Sequence, residues 1–365
     1  MPVTQETCNR LKLLIENNQP GEILSFFRQW PIGPDDGDIK GLNFQVHAPN
    51  VRGASGQTEK PLFAKYKLQG VASQVGFARL SPHPQVAKRG SIFLNVTYAD
   101  KNPTNEMVPI WWLPWKKTES GGLVKLKIND GDTLNLGIGN FTNMDNPAVF
   151  FTAALSGCSI FVYGDPSTPS IYHAGSQNSV EQQLGTKNWG RLGGTSESVW
   201  HSLFKGAYHT DIRQLDFKKA ILPMDPTAHK TQHPMGEVNK SHYVSERRQD
   251  GSIVMPRKGG KSSTTRANQF EEWLENRHQN TCTEIKASPW GCVFGLRYQG
   301  KWSFYLQRNA TVSYKELVKR RSLFKTRYDI GPMRVNNVVM GIQRFYPEQG
   351  SIRWTPHENI QVLVR

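Results

Sequence analysis

Apolar residues in this chain recur in two rhythms, and the rhythm changes near residue 90. Over residues 9–29, Leu11, Leu14 and Ile15, then Ile23, Leu24, Phe26 and Phe27, follow helical spacing. They predict one short amphipathic helix broken at Pro20-Gly21. The stretch Trp30-Pro31-Ile32-Gly33-Pro34-Asp35-Asp36-Gly37 reads as a loop. Residues 50–90 are rich in Gly, Ser, Gln and Pro and offer only short strand-like pieces. From Ser91 the period shortens to two. Ser91–Tyr98 is strand-like, as is Val108–Leu113, whose Pro109 suits an edge or the start of a strand. Val124 to Ile128 alternates as a half-buried strand does, and Asn129-Asp130-Gly131-Asp132 then turns the chain.

Ala148 to Leu155 is a nearly continuous apolar run, which fits a strand covered on both faces, although a buried helix has the same pattern. Ser159–Tyr163 and Ser170–His173 flank Asp165-Pro166-Ser167-Thr168 and predict a hairpin. Residues 181–270 are polar and mixed, and within them 225–268 are poor in apolar residues and rich in His, Lys, Arg, Gly and Ser. That composition predicts a long flexible basic insertion. Residues 268–278 predict a capped helix, and strands follow at Val293–Leu296, Trp302–Leu306, Val335–Ile342 and Ile360–Val364. No internal repeat is present.

Composition narrows this picture. The chain has 365 residues, 37% of them hydrophobic, yet its 17 Phe, 10 Trp and 11 Tyr supply enough bulk for a sizeable core. Its 32 Gly and 22 Pro exclude a helical bundle or coiled coil. A net charge of +15 attracts acidic proteins, phosphates or anionic membranes. No apolar run approaches the roughly 18–20 residues of a membrane span. The first residues lack the basic and apolar regions of a Sec signal peptide, so export is expected to use another route. Cys8, Cys158, Cys282 and Cys292 are too scattered for a disulfide framework and form no C-x-x-C pair, which argues against structural zinc.

One cysteine has a neighbour worth testing. If Asp165–Thr168 is a β-turn led by Pro166, the hairpin register sets His173 opposite Ile160. Cys158 is then the diagonal neighbour of His173 on the same face, within reach of a ring. A thiol beside an imidazole is the activated pair of thiol enzymes, because the ring takes the proton and the sulfur attacks a carbonyl carbon. Gly157 leaves room for a substrate to approach the backbone, and amides nearby are candidates to hold an oxyanion. Two readings stand on spacing alone. Cys158 is a small core residue and His173 an ordinary one, or the two form a catalytic pair. A one-residue slip in the turn would put them on opposite faces.

The motif around Cys158 adds weight. Leu155-Ser156-Gly157-Cys158 resembles the LSGC signature of bacterial toxins that deamidate glutamine, a family including the cytotoxic necrotizing factors and Burkholderia lethal factor. Leu113-Pro114-Trp115-Lys116 and Phe150-Phe151-Thr152 are similar to further motifs of the latter, in the same order, and His173 follows Cys158 at the family spacing. The similarity covers about residues 90–175. It continues more faintly over about 290–365 through Gly295-Leu296-Arg297, Ser303-Phe304-Tyr305 and Trp354-Thr355-Pro356. The resemblance implies an α+β fold, a β-sandwich core surrounded by helices and long loops. It implies a catalytic domain over 86–365, with residues 1–85 as an N-terminal helical and loop extension. It implies Cys158 as nucleophile, His173 as base and then acid, and Thr152 as the residue that orients the histidine or the substrate amide.

The expected activity is hydrolysis of a glutamine side chain in a host protein, through a thioester on Cys158, with no cofactor and no metal. Family targets include a translation-initiation RNA helicase and Rho-type GTPases. The expected location is the host cytoplasm. Two alternatives are transglutamination at the same site and a non-enzymatic basic protein that binds nucleic acid or a surface. Gly259-Gly260-Lys261-Ser262-Ser263 has a P-loop ending, but Met255 stands where a glycine is required. His201, His209, His229, His233 and His242 form no metal-binding spacing. Lys315, Lys319, Arg320, Arg321, Lys325 and Arg327 fit the solvated face of a helix as well as a phosphate-binding surface.

Overall fold

The computed structural model describes residues 3–34, 45–47, 66–67, 75–84, 90–98, 103–114, 122–128, 133–134, 144–155, 159–175, 235–238, 243, 274–321 and 326–347. The chain opens with two helices, α1 (Gln5–Glu16) and α2 (Pro20–Phe27). Thr4 caps α1: its hydroxyl accepts from the Thr7 N–H while the Thr7 hydroxyl accepts from the Thr4 N–H. Pro20 opens α2, where its missing N–H costs nothing, so the proline separates two helices where the sequence suggested one broken helix.

Strands follow: β1 (Ile32–Pro34), β2 (Gln45–His47), β3 (Tyr66–Lys67), β4 (Val75–Pro82), β5 (Ile92–Tyr98), β6 (Val108–Leu113), β7 (Gly122–Lys127), β8 (Thr133–Leu134) and β9 (Met144–Asp145). Then come β10 (Val149–Thr152), β11 (Ser159–Tyr163), β12 (Ser170–Gly175), β13 (Met235–Val238), β14 (Cys282–Tyr298), β15 (Lys301–Arg321) and β16 (Thr326–Tyr346). The fold is mainly β around a sheet core. An eight-stranded mixed sheet runs β1-β5-β4-β6-β10-β14-β15-β16, and a six-stranded sheet runs β13-β11-β12-β7-β2-β3. The pairs β1–β5 and β6–β10 are parallel, and the other pairs in these sheets are antiparallel.

Alternation along β10 shows how the layers are built. Phe150 joins a core that combines Trp111 and Phe304 of the larger sheet with Leu126, Ile160 and Ile171 of the smaller one. Phe151 points the other way, into a core shared with Leu11, Phe27 and Phe294. Phe27 packs edge-on against Phe294 and Phe151, with centroids 4.7 Å and 5.7 Å apart. The larger sheet is therefore covered by helices on one face and by the second sheet on the other. This explains why the 148–155 run is continuously apolar.

Residues 1–85, set apart in the sequence as an extension, contribute both helices, β1 and the interior strand β4 to this assembly. Buried Gln307 ties them in. Its Nε2 donates to the Phe27 and Trp30 carbonyls at 2.7 and 2.8 Å, and its Oε1 accepts from the Ile32 N–H at 2.9 Å. The loop expected over residues 30–37 contains β1, an edge strand that tolerates Pro34. Pro109 lies second in the interior strand β6, so it marks a strand's start and not an edge.

Two expectations change in the second half. Within 225–268, Met235–Val238 forms an edge strand on β11, with Val238 buried, so this part is packed and not loop. Gly236 permits the approach: a Cβ there would come within 2.5 Å of the Phe345 carbonyl. The rest of that stretch, apart from the buried Tyr243, lies outside the described residues, as do the P-loop-like sequence, the five histidines from 201 to 242 and the 360–364 strand. Of the basic run, Lys315, Lys319, Arg320 and Arg321 lie on β15 and Arg327 on β16, not on a helix, and Lys325 lies outside the described residues. Cross-strand partners from Cys282 to Tyr346 hold strands of 17, 21 and 21 residues, far longer than the apolar pieces alone suggested.

Candidate active site

The hairpin β11–β12 has the register expected from its turn. Ile160 faces His173 and Tyr163 faces Ser170. The Thr168 N–H donates to the Asp165 carbonyl at 3.0 Å, and the Ser167 N–H and hydroxyl both donate to Asp165 Oδ1 at 2.8 Å. Gly164 takes φ +113°, a conformation that L side chains rarely adopt. The turn is also held from outside. The Trp302 N–H donates to the Pro166 carbonyl, and the Tyr346 hydroxyl donates to the Gly164 carbonyl, both at 2.7 Å. A register slip would have to break these contacts, so the face that His173 presents is set by the turn and its anchors together.

His173 shares the inward face of β12 with Ile171, opposite Ile160, and its side chain is fully buried. Neither Nδ1 nor Nε2 has a hydrogen-bond partner among the described residues. The Pro114 and Leu113 carbonyls lie close enough to favour a protonated ring, but neither makes a hydrogen bond of regular geometry. Burial dominates and pushes the ring's pKa from its ordinary 6.5 down to about 3. The imidazole is neutral at neutral pH, with at least one nitrogen lone pair available.

Leu113 links this ring to Thr152. It is the cross-strand partner of Thr152 on β6, and its carbonyl accepts from the Ala153 N–H at 3.1 Å. Thr152 itself ends β10 at an irregularity. Phe151 faces Phe294, whereas Leu155 faces Gly291: four steps on one strand against three on the other, a β-bulge. The Thr152 hydroxyl bridges this bulge. It accepts from the Val293 N–H at 3.3 Å and lies 2.9 Å from the Ala153 carbonyl and 3.4 Å from the Val293 carbonyl. The described hydrogen bonds of Thr152 therefore serve the backbone of the sheet, and none reaches His173.

Leu155 is buried and bonded in both directions to Gly291, with N–H to carbonyl distances of 2.6 and 3.0 Å. A Cβ at Gly291 would press on Tyr243 Cγ and Leu306 Cδ1, each at 3.1 Å. Ser156, Gly157 and Cys158 lie outside the described residues. The flanks are described: Leu155 is pinned in the larger sheet, and β11 begins at Ser159 in the smaller one. Trp115 and Lys116 also lie outside the described residues.

The other cysteines are poor nucleophiles. Cys8, Cys282 and Cys292 are free and buried. Burial pushes Cys8 up to about 11 and Cys292 well above the ordinary thiol range. Cys282 is raised first by burial, against a hydrogen bond from Thr281, with Glu316 adding to the rise. A thiol held protonated and walled off from solvent does not attack a substrate. Sequence reasoning did not single out the backbone at Leu113 and Pro114 beside the ring, although their motif was noted. Nor did it find Gly291, which lies far away in the chain.

The sequence matches no protein-family model. No curated protein is similar to it at a significant level. Among solved structures, the C-terminal domain of CNFy from Yersinia pseudotuberculosis is similar over 94% of this chain and 99% of that chain, with 9% identity and a TM-score of 0.40. A likeness at that level leaves the site to be judged on its own residues.

Proposed function

We propose that this chain is a cysteine-dependent protein-glutamine deamidase, a bacterial effector or toxin that acts inside a host cell. The observation that carries this is the buried, neutral imidazole of His173, without a hydrogen-bond partner among the described residues and set opposite Ile160, which follows Cys158 by two positions in the sequence. If the alternation of β11 continues back from Ser159, position 158 takes the same inward face as the ring. Polar nitrogens buried without partners cost about 1–3 kcal/mol each, so a site that keeps them has a use for them. Two facing sheets, with helices outside, give the dry and rigid frame such a pair needs.

Burial keeps the imidazole uncharged at rest, and the pair begins as thiol and imidazole. As the sulfur attacks the side-chain amide carbon of glutamine, the thiol proton passes to His173. The imidazolium then protonates the departing nitrogen, ammonia leaves, and a thioester remains on Cys158. Water, deprotonated by the same ring, cleaves the thioester and restores the thiol, leaving glutamate. Thr152 acts here as a positioning residue. Its hydroxyl holds the bulge that leads into Leu155-Ser156-Gly157-Cys158, the motif shared with the LSGC deamidases. The test is peptide mass spectrometry of host lysate treated with the intact protein or with Cys158→Ser. The expected result is one host glutamine converted to glutamate by the intact protein, with the rate reduced at least about a thousandfold in the variant. Equal conversion by both would end the proposal, and an amine joined to the same glutamine would identify transglutamination instead.

A further inference from the structure

The outer end of the β15–β16 hairpin has no role in the site described above. β14 accompanies β15 only as far as the Cys282–Glu316 pair and a last hydrogen bond from the Leu317 N–H to the Thr281 carbonyl at 2.8 Å. Beyond Leu317, β15 is paired with β16 alone among the described residues, through Leu317–Ile330, Val318–Asp329, Lys319–Tyr328 and Arg320–Arg327 to Arg321–Thr326. Isolated two-stranded ribbons are marginal in water, and this one carries apolar side chains uncovered. Val318 is 48% exposed, Tyr328 51% and Ile330 60%.

Their distribution selects the kind of partner. Directly opposed residues share a face, and faces alternate along each strand. Val318 and Asp329 therefore point to one side of the ribbon, and Ile330 and Tyr328 to the other. A protein docking on one face would leave an aliphatic side chain bare on the opposite face. Partial immersion of the ribbon in a lipid surface covers both. The charges agree. From Leu317 to Ile330 the chain carries Lys319, Arg320, Arg321, Lys325 and Arg327 against the single acid Asp329, which pairs with Arg320. Basic side chains around apolar and tyrosine side chains match an anionic leaflet, with aliphatic groups below the headgroups and cations among them. No helix among the described residues is long and apolar enough to cross a membrane.

We propose that the outer end of the β15–β16 ribbon docks this protein on an anionic lipid surface, with Val318, Tyr328 and Ile330 entering the interface and Lys319 and Arg320 binding lipid headgroups. Each engaged cation contributes on the order of fivefold to partitioning onto such a surface.

The test is co-sedimentation of the full chain with vesicles of phosphatidylcholine alone or with added phosphatidylserine. Binding is expected to the anionic vesicles only, weakening as salt is raised. Val318→Ser with Ile330→Ser should lower it roughly tenfold, and Lys319→Glu with Arg320→Glu by more, because each reversal replaces attraction by repulsion. The melting temperature of each variant should match the parent, since the changed side chains are exposed. Equal binding to neutral and anionic vesicles, or binding untouched by either double variant, would overturn the proposal. Failure to bind vesicles together with capture by polyglutamate would overturn it in favour of an acidic protein partner.

Discussion

The hairpins β11–β12 and β15–β16 are built from similar material, alternating apolar and polar residues, yet they meet opposite surroundings. In β11–β12 the turn is held by Trp302 and Tyr346, both strands are flanked by others, and the inward face carries a buried imidazole. In β15–β16 the inner half is equally buried, with Phe304 and Leu306 in the core, but the outer half leaves its third strand behind and exposes Val318 and Ile330. Alternation makes a strand in both places. What covers the strand comes from residues far away in the chain. A buried site needs that cover; a docking surface needs its absence.

The largest effect expected from breaking this contrast is at His173. His173→Leu should abolish the proposed deamidation while leaving the fold as stable as the parent or more so, because it removes two buried nitrogens that have no partner among the described residues, at about 1–3 kcal/mol each. Thermal melting measured beside activity checks this. A large loss of stability would mean that the ring holds the sheet together and would weaken its catalytic assignment.

The same burial predicts an acid-sensitive fold. The folded ring resists protonation down to about pH 3, whereas the unfolded ring takes its proton near 6.5. Between those values the unfolded state binds more protons, so stability is complete above about pH 6.5 and falls as the pH drops. The slope from this group reaches about 1.4 kcal/mol per pH unit. Urea denaturation across that window should show it in the parent, and His173→Leu should flatten it. An equal slope in both would remove the histidine as its cause.

Thr152→Val keeps the branched shape but leaves the Val293 N–H without its acceptor, which should cost about 1–3 kcal/mol of stability. Any loss of activity should follow from the loosened bulge, so kcat should fall without a shift in its pH profile. A changed pH profile would instead place the hydroxyl in contact with the ring. The smallest effects compare the two hairpins directly. Tyr346→Phe deletes one anchor of the β11–β12 turn, and about 1 kcal/mol with faster amide exchange in that hairpin is expected. Ile330→Ser on the exposed ribbon should stay within about 0.5 kcal/mol of the parent. If the second change proved the more damaging, the outer ribbon would have a protein partner within the fold.

Much of the local structure is legible in the residues themselves. The Asp165–Thr168 turn, with a proline where its φ is already suited and an aspartate that accepts from its own backbone, specifies the hairpin and the face of His173. The continuous run over 148–155 reports burial on both sides, and Leu11, Ile15, Ile23 and Phe27 report the covered faces of the two helices. These signals are short-range, because they arise from φ preferences and from side-chain periodicity within a few residues.

Other features are decided only by long-range pairing. The interior strand β4 has a glycine, an alanine and a proline, and takes its place through β5 and β6 on either side. β13 is too short and polar to announce itself and is recruited by the open edge of β11. The basic run at Lys319 and Arg320 has no rhythm of its own, and its partners on β16 make it a strand. The same holds at the site. The sequence by itself determined that His173 lies on a hairpin strand opposite Ile160, which follows Cys158 by two positions in the chain. Tertiary structure decided that the ring is dry and neutral, because desolvation depends on how many atoms from both sheets close around it.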